Sequence, residues 1–469
     1  MHAVGKPGRV DLERIEKLKQ EEDVRFVKAR PRSMALLEQG RRSMPRGVPM
    51  SWMDDLWDHP PMWVAEGSGA HFTDVDGHDY LDMHIADASA FCGHAPGPLV
   101  RAVNWQIERG NQFQLPGEDA IWVAEHLARR YGLPKWQFTL SATQANTEVI
   151  RLARVATGRD IILVFDGKYH GHLPETMVVL EEGRMAPEML GLPPWASRHA
   201  RVVQFNDVSA LEAALAPGDV ALVITEPALT NAGIIRPEPE FHSTLRDITR
   251  ATGTLLAVDE THTLISAYGG LTREWGLEPD FLTLGKSLAA GVPLATYGMT
   301  EGLARLIAPP EDAWEAAGDA VREVATGGTL FANALSMAAG KAVLGEVLTE
   351  EAFDRTTRLG HRVATGIEAA IDEASLPWSV LRLFAHSYYA FAPRPPRNAI
   401  EYRSAEVPEL RALMRVYLAN RGIWEGGWWR GPAVSVAHTA EDVDRYLSVL
   451  RELIAEISGV AGAVTPRFI

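Results

Sequence analysis

A lysine, a pair of carboxylates, a run of small hydroxyl residues and an aromatic-histidine pair each follow a strand-like segment in this chain. In "DFLTLGKSLAAGVPLATYG" an apolar run ends at Gly285 and Lys286 comes next. A lysine leaving a strand into a partly desolvated site can present a neutral amine, the nucleophile of imine chemistry. In "TLLAVDETHT" the apolar run Leu255 to Val258 ends at Asp259 and Glu260. A carboxylate emerging there has to be paired, since an isolated buried charge is prohibitively costly. Its partner is either structural or a protonated ring nitrogen. Ser141-Ala142-Thr143 joins a strand pattern to a helix pattern; amides and hydroxyls at a helix N-terminus seat an anion, and ordinary capping also selects Ser and Thr there. "VFDGKYHGH" sets Tyr169 and His170 in a Gly-flanked loop, where an aromatic ring can lie flat on a planar cofactor. His170 and His172 also form an H-x-H pair, without the third nearby ligand that a metal site needs.

Positioning these groups calls for strands that end side by side. Between about residues 97 and 340 the spacing predicts a helix over Ala120 to Tyr131, a strand at Trp136 to Leu140, and a helix from Thr143 to Thr157. Strands follow at Asp160 to Phe165, Val220 to Thr225 and Thr254 to Val258. Short strands alternating with helices predict a mostly parallel sheet covered on both faces, which binds ligands outside the carboxyl ends of its strands. Met62 to Asp82 reads as a small antiparallel element about the Asp76-Gly77 turn. Beyond Ser336 a long helical pattern runs into Asp372, then a β-like segment at Trp378 to Phe391 and a helix from Glu406 to Asn420. A strand at Ala433 to Ala437 and a helix from Ala440 to Ile457 close the pattern. Leu12, Ile15 and Leu18 suit an amphipathic helix in a charged N-terminal stretch, an arm on another surface. The domain reading is an arm and small-domain segment over residues 1–95, a large domain over 96–337 and a C-terminal small domain over 338–469.

The 469 residues carry 46 Lys and Arg against 61 Asp and Glu, a net charge of −15. That balance, with no long basic run, argues against nucleic acid as a partner. Cys92 is the one cysteine, so neither an internal disulfide nor a thiolate cluster can form in one chain, which fits a reducing cytoplasm. No secretory signal and no membrane-length apolar run is evident. Trp occurs 13 times, with Trp52, Trp57 and Trp63 in one group and Trp424, Trp428 and Trp429 in another. Core packing and an aromatic substrate pocket both account for such groups.

Taken in order, "DVDGHDYLDM", "GHAPGPLVRAV", "EVIRLARVATGRD", "FDGKYHGH", "ITEPALTNAGIIRPEPEF", "PDFLTLGKSLAAGVPL", "GTLFANALSMAAG" and "VAHTAEDVDRYL" resemble the class III aminotransferase family of fold-type I pyridoxal-phosphate enzymes. Within it they are most similar to the glutamate-1-semialdehyde 2,1-aminomutase-like branch, from about Val48 to Leu447. The resemblance implies an α/β fold: a large domain with a mostly parallel sheet flanked by helices, and a small α/β domain built from N- and C-terminal segments. It implies that Lys286 holds pyridoxal 5'-phosphate covalently and moves a proton, and that Asp259, 27 residues earlier, pairs with the ring nitrogen. Ser141, Ala142 and Thr143 stand at the phosphate loop, Tyr169 where an aromatic stacks on the ring, and Thr261 where a small residue covers the other face. His170, Glu226 and His262 join the cofactor contacts. Thr329 resembles the threonine that reaches the phosphate of a neighbouring subunit, which implies a homodimer with shared active sites.

Some positions depart from the branch. Ser141-Ala142-Thr143-Gln144-Ala145 replaces Ser-Gly-Thr-Glu-Ala, and Ser266 stands at an arginine's place. His262 either approaches the phenolic oxygen of the cofactor or is a structural histidine. Trp52 and Met53 occupy the stretch where the mutase has an arginine for the substrate carboxylate, leaving Arg184, Arg198 and above all Arg430 to read one. "EEGRMAPEMLGLPPWASRHA" lacks most of the small residues of the mutase's gating loop. The expected activity is therefore amino transfer between an amine or amino acid, with an apolar or aromatic side, and a keto acid, ketone or aldehyde. The alternatives are a glutamate-1-semialdehyde aminomutase-type isomerase, a racemase or epimerase, and a non-enzymatic descendant of the fold.

Overall fold

The computed structural model describes residues 11–181, 183–308, 324–426 and 430–458. Trp428 and Trp429 lie outside them. The chain divides into two compact units, one from Gly97–Glu350 with Arg397–Ala399, the other from Met1–Pro96, Glu351–Pro396 and Ile400–Ile469.

In the first unit seven strands lie in the spatial order Lys135–Thr139, Ala295–Met299, Phe281–Leu284, Leu255–Asp259, Val220–Thr225, Ile161–Phe165, Ala200–Val203. Every neighbouring pair is parallel except the two made by Ala295–Met299, which runs against the rest. Val220–Thr225 and Phe281–Leu284 are buried at every position, as strands covered on both faces must be. Helix Ala142–Thr157 lays Ala145, Val149, Leu152 and Ala153 on Ile162, Val164, Leu222 and Ile224, and Gly158 in the left-handed region ends it. The long helical pattern beyond Ser336 is broken: Ala334–Ala342 runs into a wide π-type turn, and a new helix, Glu350–Glu373, starts after Leu348 and Thr349. Helix Ala334–Ala342 packs on helices Gly97–Ile107 and Glu118–Tyr131, so the first unit extends to Glu350.

In the second unit Val64–Ser68, His71–Asp74 and Asp79–Asp82 form an antiparallel sheet that Ile423–Trp424 joins in parallel. Ser379–Leu383 and His386–Ala390 pair separately as a hairpin. The strand expected at Ala433 to Ala437 is absent. Its backbone bonds are split, Val434 N–H donating to Ala385 and Val436 N–H to Phe91, while Ser435 N–H donates to the His438 ring. Local side-chain bonds of this kind displace a ladder. The N-terminal helix Leu12–Ala29 is no free arm: Ile15, Glu22 and Phe26 are buried, and it packs on helix Pro408–Ala419 of the same chain. Its geometry therefore carries no argument for a dimer. No described helix is long and apolar enough to cross a membrane.

Candidate active site

The chemistry-bearing residues of the first unit gather where its strands end. Asp259 is the last residue of Leu255–Asp259, Glu226 follows Val220–Thr225, and Lys286 comes two residues after Phe281–Leu284. Ser141 begins two residues after Lys135–Thr139 and caps helix Ala142–Thr157, its Oγ accepting from Gln144 N–H at 3.3 Å. The amides of Ala142 and Thr143 fall in the first turn, where no intrahelical partner exists.

Asp259 and Glu260 point to opposite sides of their strand, as alternation requires. Glu260 is structural, accepting from Thr263 Oγ1 at 2.6 Å and from Thr272 N–H. Asp259, 3% exposed, accepts from Asn146 Nδ2 at 2.9 Å and from Thr261 N–H at 3.0 Å, and its Oδ2 lies 2.9 Å from His170 Nδ1. Burial pushes this carboxyl up, but the hydrogen bond and charge of His170, with Thr261 and Asn146, bring it down to about 2. Asn146 is itself held by Thr283 Oγ1 and reaches the His170 carbonyl. The H-x-H pair is thus divided by use: His170 serves Asp259, while His172 lies edge-on to Tyr169, centroids 6.1 Å apart. Among the described residues no three His, Cys, Asp or Glu side chains are grouped to hold a metal.

Lys286 has φ +51° at the start of a short 3-10 turn. A non-glycine residue in that region is strained and held there by its surroundings, a pattern that clusters at functional sites. Gly285 before it is where three segments converge: a Cβ would lie 3.1 Å from Ala142 Cβ and 3.3 Å from Thr261 Cγ2. Gly171, at φ +95°, faces Thr143, whose Cα would be 2.8 Å from an added Cβ. The Ala142-Thr143 turn, Thr261 and Gly285 with its neighbour Lys286 are therefore close together. A planar cationic ring suits this donor set. An ionised carboxylate offers about four acceptor positions, and three are taken at Asp259, which leaves one for a ring N–H.

Glu226, also 3% exposed, accepts from Thr230 N–H at 3.0 Å and Asn231 Nδ2 at 3.1 Å, with Thr230 Oγ1 at 2.6 Å. Thr230 Oγ1 is also 2.8 Å from His262 Nδ1. Asn146, Thr230 and Asn231 escaped the sequence reading. Asn146 carried a signal, a polar amide beside Ala145 and Val149 on the apolar face of a helix. Thr230 and Asn231 carried none beyond their place in the loop after a buried strand.

Thr329 is exposed in a turn, its carbonyl accepting from Gln112. The expected substrate residues Trp52, Met53 and Arg430 belong to the second unit. Trp52 is half-buried at the start of the short helix Trp52–Asp55 and Met53 is 45% exposed. Arg430 is buried and paired with Asp87 at 2.7 Å, so a carboxylate would have to share or displace that partner. Trp57 packs on Trp424 with centroids 4.5 Å apart, which assigns those two to packing. Arg184 begins Arg184–Pro187, which pairs antiparallel with Val178–Glu181. Buried Lys168 fastens this pair by donating to the Val178 carbonyl at 2.7 Å, with Glu188 at 3.6 Å.

The chain is similar to known proteins over most of its length. The family model described as aminotransferase class-III matches residues 54–380. The chain is 32% identical to a glutamate-1-semialdehyde 2,1-aminomutase of Anaeromyxobacter dehalogenans, over 86% of this chain and 92% of that one. Among solved structures it is similar to a glutamate-1-semialdehyde-aminomutase of Pseudomonas aeruginosa PAO1, with 40% identity and a TM-score of 0.89 over 96% of this chain and 100% of that one. A lysine-to-alanine variant of that protein was solved in complex with PMP. It is also similar to a β-phenylalanine aminotransferase of Variovorax paradoxus, with 25% identity and a TM-score of 0.84 over 96% and 100% of the two chains.

Proposed function

Since the chain belongs to the class III aminotransferases, pyridoxal-phosphate enzymes of fold type I, we propose that it transfers an amino group between separate molecules. The donor is an amine or amino acid with an apolar or aromatic side, and the acceptor a keto acid, ketone or aldehyde. The bound cofactor supplies an electron sink for the bond broken at the substrate carbon. Asp259 is the residue that keeps the ring nitrogen protonated, since an ionised carboxylate at that depth stabilises a cation facing it. Lys286 carries the cofactor and its Nζ moves the substrate proton. Ala142 and Thr143 hold the phosphate at the helix N-terminus, with Ser141 setting the turn, while Tyr169 and Thr261 flank the ring and His170 steadies Asp259. Thr329 contributes from a second copy of the chain in a homodimer, and Trp52, Met53 and Arg430 read the substrate.

Transfer between molecules is favoured over isomerisation within one by the segment after His172. Retaining an intermediate until it is turned round needs a mobile lid. Here that stretch contains two paired strands pinned by Lys168. A second reading, an aminomutase-type isomerase, is favoured by the names of the relatives. Both readings are tested by one assay series. Glutamate-1-semialdehyde without any acceptor should be turned over poorly, and a panel of amines and amino acids should each convert bound cofactor to its aminated form and release a carbonyl product. Efficient isomerisation with no response to the panel would reverse the assignment.

A further inference from the structure

The loop after Val220–Thr225 and the turn after Leu255–Asp259 are joined by a line of polar atoms that the roles above do not use. Thr230 Oγ1 lies 2.6 Å from Glu226 Oε2 on one side and 2.8 Å from His262 Nδ1 on the other. All three residues are buried, His262 at 7% exposure. A hydroxyl between a carboxyl and an imidazole accepts from one and donates to the other, so it passes a proton without moving. His262 follows Thr261, whose amide holds Asp259, which places the far end of the line beside the cofactor carboxylate.

We propose that Glu226, Thr230 and His262 form a proton relay that charges His262 when negative charge builds on the bound cofactor. In the resting arrangement the Glu226 carboxylic acid donates to Thr230 Oγ1, which donates to His262 Nδ1. In the charged arrangement the Glu226 O–H bond breaks as a new O–H forms on Thr230, and the old Thr230 O–H breaks as an N–H forms on His262 Nδ1. A carboxylic acid and a neutral imidazole become a carboxylate and an imidazolium, with no proton gained or lost overall. Burial raises the Glu226 carboxyl, which suits it to hold the proton at rest. The other charged groups acting on it are His170, which favours its ionised form, and Asp259, which opposes it. Asn231 Nδ2, donating to Oε1, supports the carboxylate once it forms. Glu226 and Thr230 are positioning residues here, and His262 the group that meets the cofactor.

The inference rests on the reading that His262 faces the cofactor, and it is tested by pH titration of the visible absorbance of the holoenzyme, independently of amino transfer. An imidazolium beside the chromophore favours its deprotonated form. Glu226→Gln, which keeps the shape but cannot supply the proton, and Thr230→Val, which cuts the line, should each raise the titration midpoint by about one pH unit. Thr230→Ser should match the wild type. In a His262→Gln background neither substitution should add anything. Should Thr230→Val not retain the cofactor, Glu226→Gln alone reads the relay. Wild-type titration by Glu226→Gln, or a shift in Thr230→Ser as large as in Thr230→Val, would overturn the relay. Amino transfer is measured separately by product release, so either claim can fail without the other.

Discussion

Asp259 stays ionised at almost complete burial because every bond made to it favours the charged form. His170, Asn146 and Thr261 together outweigh the desolvation that alone would neutralise it. Asp259→Asn should cut the rate of cofactor amination about 100-fold or more, measured by single-turnover absorbance, while cofactor still binds. Because the folded-state value lies below the ordinary 3.8, this carboxylate stabilises the fold above that pH. Its contribution of about 2 kcal/mol is lost as pH falls through about 2. Asn146→Ala should leave the buried Thr283 hydroxyl and Asp259 each short of a partner and cost about 1–3 kcal/mol, read as a lower denaturant midpoint. Lys286 and Asp259 stood out in the sequence because Asp259 ends an apolar strand and Lys286 follows one by two residues. Their supports were not, since a buried asparagine or threonine declares itself only when its partner, distant in sequence, is known.

At the scale of elements, Gly285 and Gly171 allow three segments to close on one another. Gly171→Ala would drive a methyl into Thr143 at a positive φ; it should weaken cofactor binding more than tenfold and lower the midpoint of thermal unfolding. The paired strands Val178–Glu181 and Arg184–Pro187 depend on Lys168, a buried ammonium whose removal leaves the Val178 carbonyl unsatisfied. Lys168→Met should therefore speed limited proteolysis within residues 178–188 while leaving the central sheet protected. Equal cleavage rates would show that the strands stand without it. The parallel strands were readable because buried, continuous apolar runs are distinctive. Ala433 to Ala437 misled because alternation predicts extended chain, and extended chain forms a strand only where one neighbour accepts all its bonds. The N-terminal periodicity located a helix correctly, but one face of a helix does not say which surface it meets.

Across the whole molecule, buried histidines such as His59 and His438 of the second unit weaken the fold in acid. Burial lowers His59 and His438 to about 4 from 6.5. Between those values the unfolded chain takes up protons that the folded chain refuses, so each weakens folding by about 1.4 kcal/mol per pH unit as pH falls through that window. Denaturant midpoints should drop steeply from pH 6.5 to 5, and a flat profile there would refute this account. The acidic net charge argued against one class of partner and left chemistry open; the ordered motifs supplied the family, and the structure gathers their residues where the strands of one sheet end. The substrate remained illegible because Trp52, Met53 and Arg430 belong to the second unit, and side-chain type alone does not say what they read. The central claim, a cofactor carried by Lys286 beside Asp259, is tested most directly by borohydride reduction of the reconstituted enzyme followed by peptide mapping. The mass of reduced pyridoxal phosphate should appear on the peptide holding Lys286 and on no other. Its appearance on a different lysine, or on none, would contradict the account.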